Sequence, residues 1–77
     1  MRYDALKYER VRNLRNDREL SQSVIAKYLG ISQSAYSKYE LSERNMTPEV
    51  LIKLADFHNT SIDYLLNRTN NPSPPLS

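Results

Sequence analysis

Residues 21–40, SQSVIAKYLGISQSAYSKYE, constrain the fold more than any other part of the chain. Ser21 is a good helix cap, because its hydroxyl can accept from a backbone N–H left free in the first turn. QSVIAKYL then runs to Gly30, which takes the left-handed stop without a Cβ penalty, and Ser32 caps the next segment. The spacing therefore predicts two short helices joined by a tight turn. Ile25, Ala26 and Leu29 form a narrow apolar seam on the first, with Val24 outside it, and Ala26 is small enough for another helix to approach closely. Ile31 points inward at the turn, and Tyr36 and Tyr39, three apart, direct one face of the second helix to the core. Its other side carries Gln33, Ser34, Ser37 and Lys38, with no acid among them. A solvated helix face ordinarily mixes Glu with Lys at helical spacing, so this face calls for another explanation.

The remaining segments carry their own start and stop signals. A first helix is expected over about residues 6–17, with Leu6, Val11 and Leu14 inward and Leu20 closing the stripe. Thr47 caps a fourth helix with Pro48 at its first position, where the missing N–H costs nothing, and Val50, Leu51, Leu54, Ala55 and Phe57 make its apolar face. Asn59 is a substitute for glycine at the stop, and Ser61 caps a last short helix, IDYLLN, that returns Ile62, Leu65 and Leu66 to the core. No segment alternates with strand periodicity. The expected fold is all-α, a compact five-helix bundle in one domain over residues 1–69. Residues 70–77 form a Pro-rich tail with too little apolar surface to offset its ordering entropy, so it is expected to be disordered or extended.

Composition limits the chemistry. With 77 residues, 39% of them hydrophobic, there is room for one small core, and the absence of Cys removes disulfides and thiolate zinc sites and makes the cytoplasm the natural compartment. No apolar run reaches the roughly 20 residues that span a bilayer, so no membrane association is expected. The formal net charge is only +2, although Arg2, Lys7, Arg10, Arg12, Arg15 and Arg18 crowd the first segment among Asp4, Glu9, Asp17 and Glu19. Enzyme readings lack parts: no phosphate-cradling glycine loop, no histidine pair and no serine beside a general base. The lone His58 reads as a partner of the fourth helix's C-terminal dipole. No metal, cofactor or small-molecule ligand is expected.

A short helix, a glycine turn and a second helix crossing it make a helix-turn-helix. LSQSVIAKYLGISQSAYSKYE followed by TPEVLIKLADFHNTSIDYLL resembles the phage-repressor and Cro-like helix-turn-helix family, also called the XRE family. The resemblance covers about residues 8–69 and rests on Gln22, Ala26 and Gly30 at their expected spacing, the apolar positions Ile25, Leu29, Ile31, Tyr36 and Tyr39, and the closing SIDYLL. It implies a lambda-repressor-like bundle whose third helix enters the DNA major groove. Base-edge contacts are then expected from Ser32, Gln33, Ser34, Ser37 and Lys38. The chemistry agrees: Gln pairs two ways with adenine, Ser donates or accepts at any base, and Lys donates to guanine O6 and N7. An acid on that face would be repelled by phosphates.

Phosphate contacts are expected from Gln22, at the positive N-terminus of the second helix, and from Arg44 and Asn45 in the loop after the third, with Lys27 and Arg10 as weaker candidates. The resemblance further implies a partly buried structural salt bridge between Arg15 and Glu40. It also implies double-stranded DNA with a pseudo-palindromic operator as partner, and a homodimer that assembles around residues 62–70 or only on DNA. The family often places glycine at four further stops, where this chain has Glu19, Ser42, Asn59 and Asn67; a Glu or Ser there costs about 1 kcal/mol. The rival expectation is an antitoxin-like or adaptor module holding a protein through Val24, Tyr28, Leu76 or the tail, which would need exposed aromatic or aliphatic anchors.

Overall fold

Local chemistry sets both ends of nearly every helix. The computed structural model describes residues 7–75. Its helices are α1 (Glu9–Asp17), α2 (Gln22–Leu29), α3 (Gln33–Glu40), α4 (Pro48–Phe57) and α5 (Ile62–Leu65), and no strand occurs among the described residues. Ser21, Ser32, Thr47 and Ser61 cap α2 to α5, each side-chain oxygen accepting from the third N–H of its helix. α1 has no side-chain cap; residues 7 and 8 form a turn before Glu9, and Leu6, the expected start, lies outside the described residues.

All five helices end in one way. The residue closing each has a left-handed backbone: Glu19 (φ 56°), Gly30 (75°), Ser42 (61°), Asn59 (54°) and Asn67 (66°). The next N–H then donates back to a carbonyl five residues earlier, as in Ile31 to Ala26 at 3.0 Å and Glu43 to Lys38 at 2.9 Å. These bonds satisfy carbonyls that the helix itself leaves free. The four residues expected at glycine stops therefore occupy them. Ser42 carries a second cost, since its hydroxyl is buried without a hydrogen-bond partner. Ser42→Gly should thus stabilise the fold by about 1 kcal/mol after allowing for glycine's greater freedom when unfolded. Urea titration would show this as a raised midpoint with an unchanged slope, and a lowered midpoint would refute it.

The core draws on every helix. Val11, Ile25, Tyr36, Leu54 and Leu65 are buried together, with Ala26, Leu29, Tyr39 and Ala55 around them and Leu14, Ile31, Val50, Leu51, Phe57, Ile62 and Leu66 packed at the edge. Val24, outside the seam, is 46% exposed. Tyr8 and Met46 join this core from outside the helices; the Tyr8 hydroxyl accepts the Met46 N–H at 2.8 Å, which pins the loop after α3 to the start of α1. Tyr64 is half-buried, and the Arg10 guanidinium lies 4.1 Å above its ring.

Beyond α5 the backbone has no regular structure, yet it is tied to the bundle. Arg10 donates to the carbonyls of Tyr64 and Thr69 and to Asn70 Oδ1, and the Thr60 hydroxyl donates to the Pro72 carbonyl at 2.6 Å. Leu76 lies outside the described residues.

His58 stands at the C-cap of α4, but it does not serve the helix dipole as a cation. Burial first, and the nearby positive charge of Arg18 second, push its pKa down to about 4, and its ring meets Phe57 edge-on at 5.1 Å. The imidazole is neutral at neutral pH, so it lacks the charge that the dipole would favour. The unfolded chain then binds a proton that the folded chain does not between about pH 6.5 and 4, and stability should fall as pH drops through that window. His58→Leu should flatten the upper part of this dependence, between pH 6.5 and 5. Melting curves at stepped pH check it; a parent protein insensitive to pH there would remove the explanation.

Candidate nucleic-acid interface

The turn at Gly30 decides what α3 presents. Because φ is 75° there, the chain turns from α2 into α3 over Gly30, Ile31 and Ser32, and Tyr36 and Tyr39 of α3 enter the same core as Ile25, Ala26 and Leu29 of α2. Its opposite side is open: Ser32, Gln33, Ser34 and Lys38 are exposed and Ser37 is half-buried. The Ser32 oxygen accepts the Ala35 N–H at 3.0 Å, which leaves its hydroxyl hydrogen to donate outward. Gln33, Ser34, Ser37 and Lys38, together with Gln22, Leu41 and Glu43, line one open concavity of about 540 Å³.

A buried ion pair holds this surface from beneath. Arg15 of α1 grips Glu40 of α3 through two bonds, Nε to Oε2 at 2.6 Å and Nη2 to Oε1 at 3.0 Å, and its third arm donates to the Leu20 carbonyl at 2.9 Å. The two side chains are 13% and 2% exposed. Gln22 adds a donor to Glu40 Oε1 at 3.0 Å, so the start of α2 is tied to the end of α3. Burial opposes the Glu40 charge, but Arg15 first, and the nearby Tyr36 hydroxyl and Gln22 amide after it, together outweigh burial and hold the carboxyl below its ordinary range. Tyr36 is the reverse case: burial, then the neighbouring Glu40 carboxylate, push its hydroxyl pKa far up, and that hydroxyl makes no well-formed hydrogen bond.

The expected phosphate residues divide. Gln22 uses one amide hydrogen on Glu40 and keeps the other. Arg44 and Asn45 are exposed and, with Lys7, Ser42 and Glu43, line a smaller polar concavity of about 320 Å³. There Lys7 donates to Asn45 Oδ1 at 2.8 Å, which turns the Asn45 amide N–H group away from Lys7. Lys27 is exposed on α2 but lines neither concavity. Arg10 is engaged within the chain, by the tail and by Tyr64, rather than extended to solvent. Four residues at these surfaces are absent from the sequence-based set. Leu41 has a signal, since it continues the row from Ser34 by helical spacing, whereas Lys7, Ser42 and Glu43 arrive through loop geometry that no periodicity reports.

An all-α bundle that offers a polar helix beyond a glycine turn defines a helix-turn-helix protein. Comparison with known proteins agrees: the helix-turn-helix family model matches residues 11–65, and the chain belongs to that family. It is 33% identical over 68 residues to the HTH-type transcriptional regulator YobD of Bacillus subtilis, covering 88% of this chain and 61% of YobD. Over 60 residues it is 42% identical to the control protein C.SmaI of Serratia marcescens, 78% of this chain and 71% of that protein. It is equally identical, over the same share of this chain and 54% of the relative, to the cryptic phage CTXphi transcriptional repressor RstR of Vibrio cholerae. The chain thus spans little more than half the length of most of these relatives. Among solved structures, the P22 c2 repressor in complex with a synthetic operator matches with a TM-score of 0.74 and 33% identity, covering 82% of this chain and 96% of that one.

Proposed function

We propose that this protein is a sequence-specific double-stranded DNA-binding transcriptional regulator, in its simplest form a repressor, that lays α3 in the major groove. The observation that carries this reading is the single open concavity joining Gln22 to the exposed polar row of α3. Every candidate there can donate a hydrogen bond, and the short hydroxyl side chains let the helix backbone sit deep among base edges. Ser32, Gln33, Ser34, Ser37 and Lys38 read bases in this proposal, Gln22, Arg44 and Asn45 hold phosphates, and Lys27 adds a weaker cation at the edge. The likeness to a repressor solved in complex with a synthetic operator supports DNA as the partner. A domain this small touches few base pairs, so a two-fold dimer on half-sites about 34 Å apart supplies the specificity. No catalytic role is proposed. Among the described residues no helix is long and apolar enough to cross a membrane, and the proposed place of action is the cytoplasm.

Titration of labelled mixed-sequence DNA at rising salt tests the reading, because affinity set by phosphate contacts falls steeply on a log-log plot. Selection from random DNA then reports the site and its symmetry. One observation favours the adaptor as second reading: Val24 and Tyr28 are each 46% exposed, and Tyr28 packs on Phe57 with ring centroids 4.8 Å apart. Absence of DNA binding even at low salt would move the assignment to that surface.

A further inference from the structure

Four large apolar side chains stand in solvent among the described residues: Val24, Tyr28, Leu41 and Ile52. Tyr28 leans on Phe57, and Ile52 borders a groove closed by Pro75. Leu41, 57% exposed, differs from both because it stands among the polar groups of the α3 concavity. Its backbone (φ −84°, ψ 0°) continues the helical direction, so Ser34, Ser37, Lys38 and Leu41 form one row at i, i+3, i+4 and i+7. Leu41 therefore lies about 10 Å along the axis from Ser34, on the side that would face base edges. An exposed leucine contributes little to folding, and its neighbours in the concavity are all polar or charged.

We propose that Leu41 is a specificity-determining residue whose methyl groups pack against the C5-methyl of a thymine. The inference rests on the DNA-binding reading above. In the major groove the thymine methyl is the one apolar feature a base edge presents, and the polar members of the row have no means of preferring it. Leu41 supplies the missing apolar reader. Contact with a deoxyribose would also bury the side chain, but it would be blind to the base.

The test uses the full chain and duplexes selected from random DNA by the parent and, separately, by Leu41→Ala. Each thymine of the selected half-site is then replaced in turn by deoxyuridine, which removes only the methyl. The parent should lose about fourfold in affinity at one thymine per half-site, as expected for one buried methyl group. Leu41→Ala should bind the two duplexes alike, no longer select thymine there and melt with the parent, while Leu41→Met keeps the preference. Equal methyl sensitivity in parent and Leu41→Ala, or no sensitive thymine at all, overturns the role of Leu41 and leaves DNA binding standing. No enrichment by either protein overturns the DNA-binding reading and this inference together.

Discussion

Glu40→Ala should melt more than about 10 °C below the parent. Removing one partner of a buried ion pair commonly costs about 3 to 5 kcal/mol, and for a domain of this size each kcal/mol lowers the midpoint by roughly 4 to 8 °C. Both conditions for the large value hold here. The carboxylate is 2% exposed, and three donors, two from Arg15 and one from Gln22, converge on its oxygens. Truncation would leave the Arg15 guanidinium, itself mostly covered, with the Leu20 carbonyl as its remaining acceptor. The loss should appear in folding first and in DNA affinity second, since α3 keeps its outward groups. Replacing the pair together, as Arg15→Met with Glu40→Leu, should come back close to parental stability because no charge is then left buried alone. A Glu40→Ala melting curve superimposed on the parent's would refute the structural role of the pair. Acid provides an independent check. The Glu40 carboxyl titrates below its ordinary value, so its contribution is complete above the unfolded pKa of about 4.5 and disappears as pH falls through the lower folded value. That window opens at the foot of the one assigned to His58, so the stretch between pH 6.5 and 5 reports His58 and the further loss below pH 4 reports Glu40.

Gln33→Ala should change which DNA is bound more than how stably the protein folds. Gln33 is exposed at the first position of α3 and lines the concavity with Ser34, Ser37 and Lys38. A bidentate side-chain contact to a base carries about 1 to 3 kcal/mol of discrimination, so the variant should relax preference at one position per half-site by about 5- to 150-fold. Competition between the selected duplex and single-base variants measures this directly. If affinity instead fell by the same factor for every sequence, Gln33 would be a positioning residue on the phosphates. Thermal melting should be unchanged, because the side chain supports nothing beneath it.

Much of this molecule was readable residue by residue. Caps and stops are local events: Ser21, Ser32, Thr47 and Ser61 bond to an N–H three residues away, and the left-handed residues are closed by bonds spanning five. A hydroxyl or a glycine in sequence is therefore enough to place them, and helical spacing is enough to sort Ile25, Leu29, Tyr36 and Tyr39 inward from Gln33, Ser34 and Lys38 outward. The polar row of α3 needs no more than that, apart from its last member, Leu41.

The helices, their order and the polar character of the α3 face follow from residue order, because each depends on neighbours within a turn or two. Tertiary structure alone decided which long side chains remain available. Arg10 reached a tail 59 and 60 residues away, Tyr8 took the N–H of Met46 across 38, and Gln22 turned one donor to Glu40 across 18. His58 lost its charge to burial and to Arg18, not to anything adjacent in its own helix. Flexible polar groups bond wherever folding brings a partner within about 3 Å, and that distance is set by packing rather than by position in the chain.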